Sequence, residues 1–428
     1  MSQFPAGRRP DFQFGYPVPM PGYGSRYWAE RTASNRRRSY PRLRGQQTAD
    51  AVVIGAGLTG ATAAYVLAAG GLKVMLVEAG QVASGSTAGS LGAIVPEPDA
   101  WFRVSEPLAG RRAARTFWQE AQKSSTDFAA ALRKLDIKCD LSPAAYLINA
   151  TRTDDAAWLR KEQAARRSAN VSAAWATPAS ITSEAGLETA GGIGVGGAFT
   201  YDPVRAALGL IGAAEKHGAQ VFEKSAVRRT KFTRKDADVV LADATIRTHA
   251  IIVATGEPGS VFGQLRRHVR REAGAVVVTE PLQAAMRREV GRRASIVTEA
   301  VETNRPWVRW LADDRAMFAG ALTKAVPPRQ HDKVLVQKTA QLMYELSVRY
   351  PVISGLPAHW GWQTEVVTTP DGLPWIGPHR NYPFHFFSMA FGWHGDALAW
   401  LAAKSALRFF TGNAKSDDAS LGFARHLG

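Results

Sequence analysis

Cysteine is almost missing: Cys139 is the only one in 428 residues. That excludes an intrachain disulfide and a cysteine metal cluster and suits a reducing compartment, so the expected location is cytoplasmic. Long apolar runs are missing too. With no stretch of about eighteen uncharged apolar residues, no membrane span is expected. The arginines of MSQFPAGRRPDFQFGYPVP lead into no apolar h-region, which argues against a secretory signal. HExxH, a Walker lysine behind a glycine loop and G-x-S-x-G are all absent. Zinc-protease, NTPase and serine-hydrolase chemistries therefore drop out, and no metal site is expected.

What the chain has in excess is positive charge: 53 Lys and Arg stand against 37 Asp and Glu, a net +16. Residues 1–47 hold nine arginines against Asp11 and Glu30 alone, so this extension carries +7 of the total. Its Pro, Gly, Tyr and Arg content (YPVPMPGYGSRYWAERTASNRRRSYPRLRG) resists forming a core of its own. A solvated or surface-packed arm is the favoured reading, ahead of an arm for nucleic acid. The whole chain is 46% hydrophobic and long enough to bury a sizeable core in two or three domains or one interleaved pair.

The densest signal is AVVIGAGLTG, residues 51–60. Ala51 to Ile54 reads as a buried parallel strand, the next residues are a glycine turn, and small helix-compatible residues follow. LKVMLVEAG (72–80) then reads as a second buried strand ending at Glu78, eighteen positions beyond Gly60. This spacing predicts a βαβ unit that binds a dinucleotide, against a glycine turn that only makes a bend. Gly55 allows the tight turn, Gly57 lets backbone approach a pyrophosphate, and Gly60 packs the helix on the strand. Backbone N–H groups around Ala56, Leu58 and Thr59 open a helix N-terminus that favours phosphate, and Glu78 accepts hydrogen bonds from a ribose. Glycine turns are common, but the two strands, the helix and Glu78 in register are not.

Three further stretches carry a family resemblance. They are VEAGQVASGSTAGSLGAIV after the first unit, ATIRTHAIIVATGEPGS (244–260), read as one strand ending at Ala254, Thr255 and Gly256, and GWQTEVVTTPDGLPWIGP (361–378) ahead of FHFFSMAFGWHGDALAWLAAKSALRFF. Together with the glycine turn, these resemble the D-amino-acid-oxidase-like FAD-dependent oxidoreductases: glycine oxidase, sarcosine oxidase and especially the gamma-glutamylputrescine oxidoreductase group. The similarity covers nearly all of residues 27–412.

The resemblance implies an α/β fold with an α+β substrate domain: a Rossmann-type FAD-binding domain interleaved with an antiparallel-sheet substrate domain. The expected division gives residues 48–95, 185–262 and 355–428 to FAD binding, and residues 96–184 and 263–354 to the substrate domain. AAYLINA, AGAVVVTE and RPWVRWLADDRAMFAGAL supply its strands, while WLRKEQAARRSA and HDKVLVQKTAQLMYELSVRY read as helices.

The same resemblance places Ser86 and Thr87 beside the cofactor, in a loop that lacks the arginine relatives carry there. Val227 matches a segment whose backbone meets the adenine, although a core valine fits equally. Gly372, in the PDGLPWIGP turn, and Gly395, in FGWHGDALAW, match backbone that relatives bring against the flavin, with a helix N-terminus where charge collects on reduction. Trp393 stands where a glycine is usual and must either cap the ring or point away. His394 is balanced between an active-site role and a helix-start role. Two-residue alternation puts Arg305, Trp307 and Arg309 on one strand face. Arg309 matches a tyrosine-x-arginine strand and could grip a substrate carboxylate or be an ordinary salt-bridged arginine; Trp307 could wall the pocket or fill a core.

The implied activity is oxidation of the C–N bond of an amine or amino acid by hydride transfer to flavin N5, giving an imine that water hydrolyses. FAD is expected to be noncovalent, because no histidine matches an attachment position and Cys139 lies outside the matching cysteine position. The electron acceptor is not legible, O2 being one candidate. Two alternatives remain: a same-fold enzyme acting on aminomethyl groups in tRNA, and a catalytically decayed flavin-binding interaction protein.

Overall fold

The computed structural model describes residues 23–32, 38–292, 295–300, 305–324 and 327–426. Most of the basic tail lies outside the described residues. Two large sheets and a small one organise the chain. The first large sheet has six strands, in the order Trp375–His379, Tyr382–Met389, Ala250–Gly256, Ala51–Ile54, Val74–Val77 and Gln220–Phe222. All pairs are parallel except the hairpin at the first edge.

Its strands Ala51–Ile54 and Val74–Val77 are apolar and buried at every position because both faces are covered. Ala51, Val53, Val74 and Leu76 join a core shared with helices Leu58–Ala69, Pro203–Lys216 and Gly395–Phe410. Val52, Ile54, Met75 and Val77 face the other way, onto Val239 and Ile246 of the small sheet. The stretch ATIRTHAIIVATG forms two strands rather than the single one expected. Ala244–Thr248 belongs to the four-stranded sheet and Ala250–Gly256 to the six-stranded one. A continuous run of strand-compatible residues hides the corner at His249, which only pairing partners reveal.

The second large sheet has nine strands and is antiparallel throughout except where Ser295–Glu299 runs parallel to Ser142–Ala150. One face packs on helices Pro178–Ala185 and His331–Arg349; the other merges with the core of the first sheet. Strands Ala93–Ile94, Gly191–Thr200 and Ala358–Thr368 pair within this sheet, although the expected division put their segments on the cofactor side. Hydrogen-bond partners, not chain neighbours, decide sheet membership.

The arm is surface-packed where it is described. Helix Tyr27–Arg31 buries Tyr27 and Trp28, and Gly24 N donates to Gly361 O at 2.8 Å. None of the helices among the described residues is long and apolar enough to cross a membrane.

Candidate cofactor site

A cavity of about 580 Å³ opens above the C-terminal ends of strands Ala51–Ile54 and Ala250–Gly256, where parallel sheets leave room for ligands. Its floor is the glycine turn. Gly55 has φ +99°, and a Cβ there would meet Ala254 O at 2.7 Å. Gly57 is the N-cap of helix Leu58–Ala69 in extended conformation, with its Cα facing the cavity and Thr87 Oγ1. At Gly60 a Cβ would fall 1.7 Å from Gly55 O, so this glycine serves the packing of helix on turn. Leu58 N donates to Thr87 Oγ1 at 2.8 Å, which ties the loop 84–92 to the helix start. Leu58 and Thr59, in the first turn where helix geometry leaves amides without intrahelical partners, line the same space.

Glu78 sits at the end of the second strand and lines the cavity. Ala56 N donates to its Oε2 and Gly80 N to its Oε1, both at 2.8 Å. The carboxylate is thereby fixed in place, and each oxygen keeps a lone pair for a ligand hydroxyl. Ser86, Val227, Thr255 and Gly256 also line the cavity, Gly256 with φ +77°.

The cavity continues into a narrower space of about 120 Å³, sharing Leu58, Thr59, Ser86, Thr87, Gly256, Thr364 and Glu365 with the main chamber. This extension ends at Trp393, Gly395 and Asp396, where helix Gly395–Phe410 begins. Trp393 is a wall of the extension, and its indole lies across Gly274 of strand Arg270–Thr279, the position that makes room for it. Asp396 Oδ2 accepts from Ser90 Oγ at 3.0 Å, and burial pushes the Asp396 carboxyl up to about 6. Gly372 is not part of this wall. Its turn, with φ +73°, packs on Ala100, and Asp371 is locked there by Arg425 at 2.7 Å.

The residues expected on the substrate side occupy different surroundings. Trp307, Arg309 and His394 do not line the cleft. Alternation on strand Trp307–Trp310 holds, with Trp307 in one core and Val308 and Trp310 in another. Arg309, however, is turned onto backbone: its Nη1 donates to Gly92 O, to Leu91 O at 2.7 Å and to Tyr201 O at 3.3 Å. Burial holds this guanidinium down at about 10. Trp307 stacks on Tyr146 at 5.6 Å and meets His394 edge-on at 4.6 Å. His394 is buried, and Nδ1 lies 3.2 Å from Glu97 O, an acceptor only, so Nδ1 carries the proton. Burial lowers its basicity, keeping the ring neutral near pH 7.

Beneath these rings lies a charged network that spacing could not reveal. Glu97 accepts from Tyr146 OH at 2.6 Å, pairs with Arg166 at 2.8 Å and with Arg305 at 3.4 Å, while Arg166 also pairs with Glu162 at 2.8 Å. Arg26, Thr364 and Asp396 are cavity residues that sequence reasoning missed. Asp396 left one signal, an acid directly after His394 and Gly395 at a helix start; the other two enter from distant segments.

The dinucleotide requirements are met by residues in place: a close-approach glycine, a helix N-terminus, a fixed carboxylate and a cavity continuing to a second helix start. This defines a two-sheet dinucleotide-binding oxidoreductase. The sequence model of the FAD dependent oxidoreductase family matches residues 50–407, and the chain belongs to that family. It is 22% identical over 405 residues to gamma-glutamylputrescine oxidoreductase of Escherichia coli, covering 94% of this chain and 92% of that one. It is 24% identical over 377 residues to the probable oxidoreductase OrdL of Haemophilus influenzae, covering 85% and 83%. Among solved structures, glycine oxidase from Geobacillus kaustophilus superposes with a TM-score of 0.73 at 18% identity, covering 89% of this chain and all of that one. L-Proline dehydrogenase from P. horikoshii does so with 0.73 at 16%, covering 90% and 99%.

Proposed function

We propose that the chain holds FAD noncovalently and oxidises the C–N bond of an amine. The observation that carries this reading is the continuous cavity from the Gly55–Gly57 turn to the start of helix Gly395–Phe410. Held there, FAD would supply a two-electron acceptor for the hydride of the carbon bearing nitrogen, the nitrogen losing a proton to solvent and the resulting imine being hydrolysed by water. Gly55, Gly57 and Thr59 are assigned to the diphosphate, Glu78 to the adenosine ribose, and Ser86, Thr87 and Gly395 to the flavin half. Noncovalent binding is supported by the lining, which contains neither histidine nor cysteine among the described residues. Cys139 is buried elsewhere, with its thiol pushed up to about 12 by burial.

The relative and neighbours are named for gamma-glutamylputrescine, glycine and L-proline, each of which contains a C–N bond. The choice of an amine over an amino acid rests on charge. An amino-acid site needs a cation to grip the carboxylate, but Arg309 is spent on carbonyls and Arg305 on Glu97. The narrow end instead presents Asp396, a carboxylate that suits a cationic ligand. Arg309 and His394 are accordingly positioning residues. The first holds loop 91–92, and the second holds the turn that starts helix Gly395–Phe410.

An anaerobic screen that follows flavin absorbance tests both levels. Bleaching by amines without an α-carboxylate is expected. Bleaching by α-amino acids alone would overturn the amine assignment, and a cofactor that no C–N substrate bleaches would overturn the oxidoreductase reading. Peroxide release in air then separates oxidase from dehydrogenase.

A further inference from the structure

The cleft that must receive a dianionic diphosphate is lined by Glu78, Glu257 and Glu365, and Arg26 is its single cationic side chain among the described residues. Glu257 and Glu365 are drawn toward Arg271, at 2.8 and 2.6 Å, on the far rim. A helix N-terminus contributes about half a charge, which alone does not balance two. Arg26 comes from outside residues 50–407, the part matched by the family.

Its placement is built rather than incidental. Nη1 donates to Ser84 O at 2.5 Å and Gly85 O at 2.7 Å, and no carboxylate pairs with the guanidinium among the described residues. Anchors on both sides fix it: Gly24 N bonds Gly361 O at 2.8 Å, and Trp28 Nε1 donates to Ser90 O at 2.7 Å. Tyr27 and Trp28 are 1% and 2% exposed. The gripped carbonyls lie two and three residues before Thr87, the residue tied to Leu58 N at the phosphate-facing turn. A half-buried cation without a counter-ion, held rigidly at the edge of such a turn, is arranged for an anionic ligand. Burial lowers its basicity, as expected of a charge still lacking its partner.

We propose that Arg26 is a cofactor-binding residue whose guanidinium neutralises the diphosphate of FAD, so that the arm before the family region completes the dinucleotide site. This rests on the FAD reading above. The test is the dissociation constant of FAD, measured by quenching of flavin fluorescence across a salt series, with riboflavin as a ligand without phosphate. Arg26→Gln should weaken FAD about tenfold, equivalent to about 1.4 kcal/mol, and flatten the dependence on salt, leaving riboflavin affinity unchanged. Arg26→Lys should recover most of the loss. Trp28→Phe, which removes the bond to Ser90 and keeps the charge, should retain the wild-type salt dependence. The inference is overturned if Arg26→Gln keeps the FAD affinity and salt dependence of wild type, or if riboflavin weakens equally. A wild-type protein that takes no FAD would overturn the cofactor reading itself, and this inference with it.

Discussion

Three glycines of one turn do three separable jobs, and substitution should tell them apart. Gly55 needs its positive φ, and Gly60 has no room for any side chain. Gly57 is different: its backbone is extended, and a Cβ would meet only Thr87 Oγ1, at 3.0 Å. The branched side chain of Gly57→Val would therefore fill the cavity without breaking the turn. A folded, colourless protein is expected, with apoprotein melting close to wild type and added FAD left unbound. Gly60→Val should instead lose the fold, because a Cβ 1.7 Å from Gly55 O forces helix and strand apart. Stoichiometric FAD in purified Gly57→Val would remove the diphosphate from this place.

At the scale of elements, the strand before the turn, the helix after it and Glu78 were legible because their signals lie within thirty residues and obey local periods. The face shared by Trp307 and Arg309 was legible for the same reason. What covers that face was not. The acceptors of Arg309 come from Leu91, Gly92 and Tyr201, more than a hundred positions away, and nothing in RPWVRW announces them. Arg26 escaped notice because its composition-poor surroundings resemble a solvated tail, while its partners sit 58 and 59 positions on. The same limit applies to Trp393, whose place is made by Gly274 on a different sheet. A Cβ at Gly274 would stand 2.3 Å from the Trp393 indole, so Gly274→Ala should destabilise the protein by about 1–3 kcal/mol. Adding Trp393→Gly should return much of that loss, since the clash needs both side chains. Urea midpoints of the four proteins in a double-mutant cycle measure this coupling; additive effects would place the indole elsewhere.

At the scale of the whole molecule, a buried ionic network ties the nine-stranded sheet to the helix Thr153–Ser168 and, through the His394 ring, reaches the start of helix Gly395–Phe410. Glu97, Tyr146, Glu162, Arg166, Arg305 and His394 come from separate stretches of chain and meet behind Trp307. Glu162 also accepts from Phe102 N at 2.8 Å and Arg103 N at 3.1 Å, so the network caps the helix Phe102–Ala109. Burial alone would raise the Glu97 carboxyl, but Arg166 and Arg305 outweigh it and hold it below its ordinary value. A carboxyl lowered in the folded state stabilises above the unfolded value of about 4.3 and loses that contribution as pH falls through the lowered one. Arg166→Met leaves Glu97 and Glu162 buried with half their countercharge, and should cost about 3–5 kcal/mol. Replacing the charges together, in Glu97→Gln with Glu162→Gln, Arg166→Met and Arg305→Met, should cost less than Arg166→Met alone, because no isolated ion of this network stays inside. Denaturation midpoints at pH 7 rank the variants, and a series taken down to pH 3 supplies the sign. Wild type should lose stability faster than the quadruple variant as acid protonates Glu97. Parallel curves would mean that the network contributes no net charge energy, leaving apolar packing to hold these segments together.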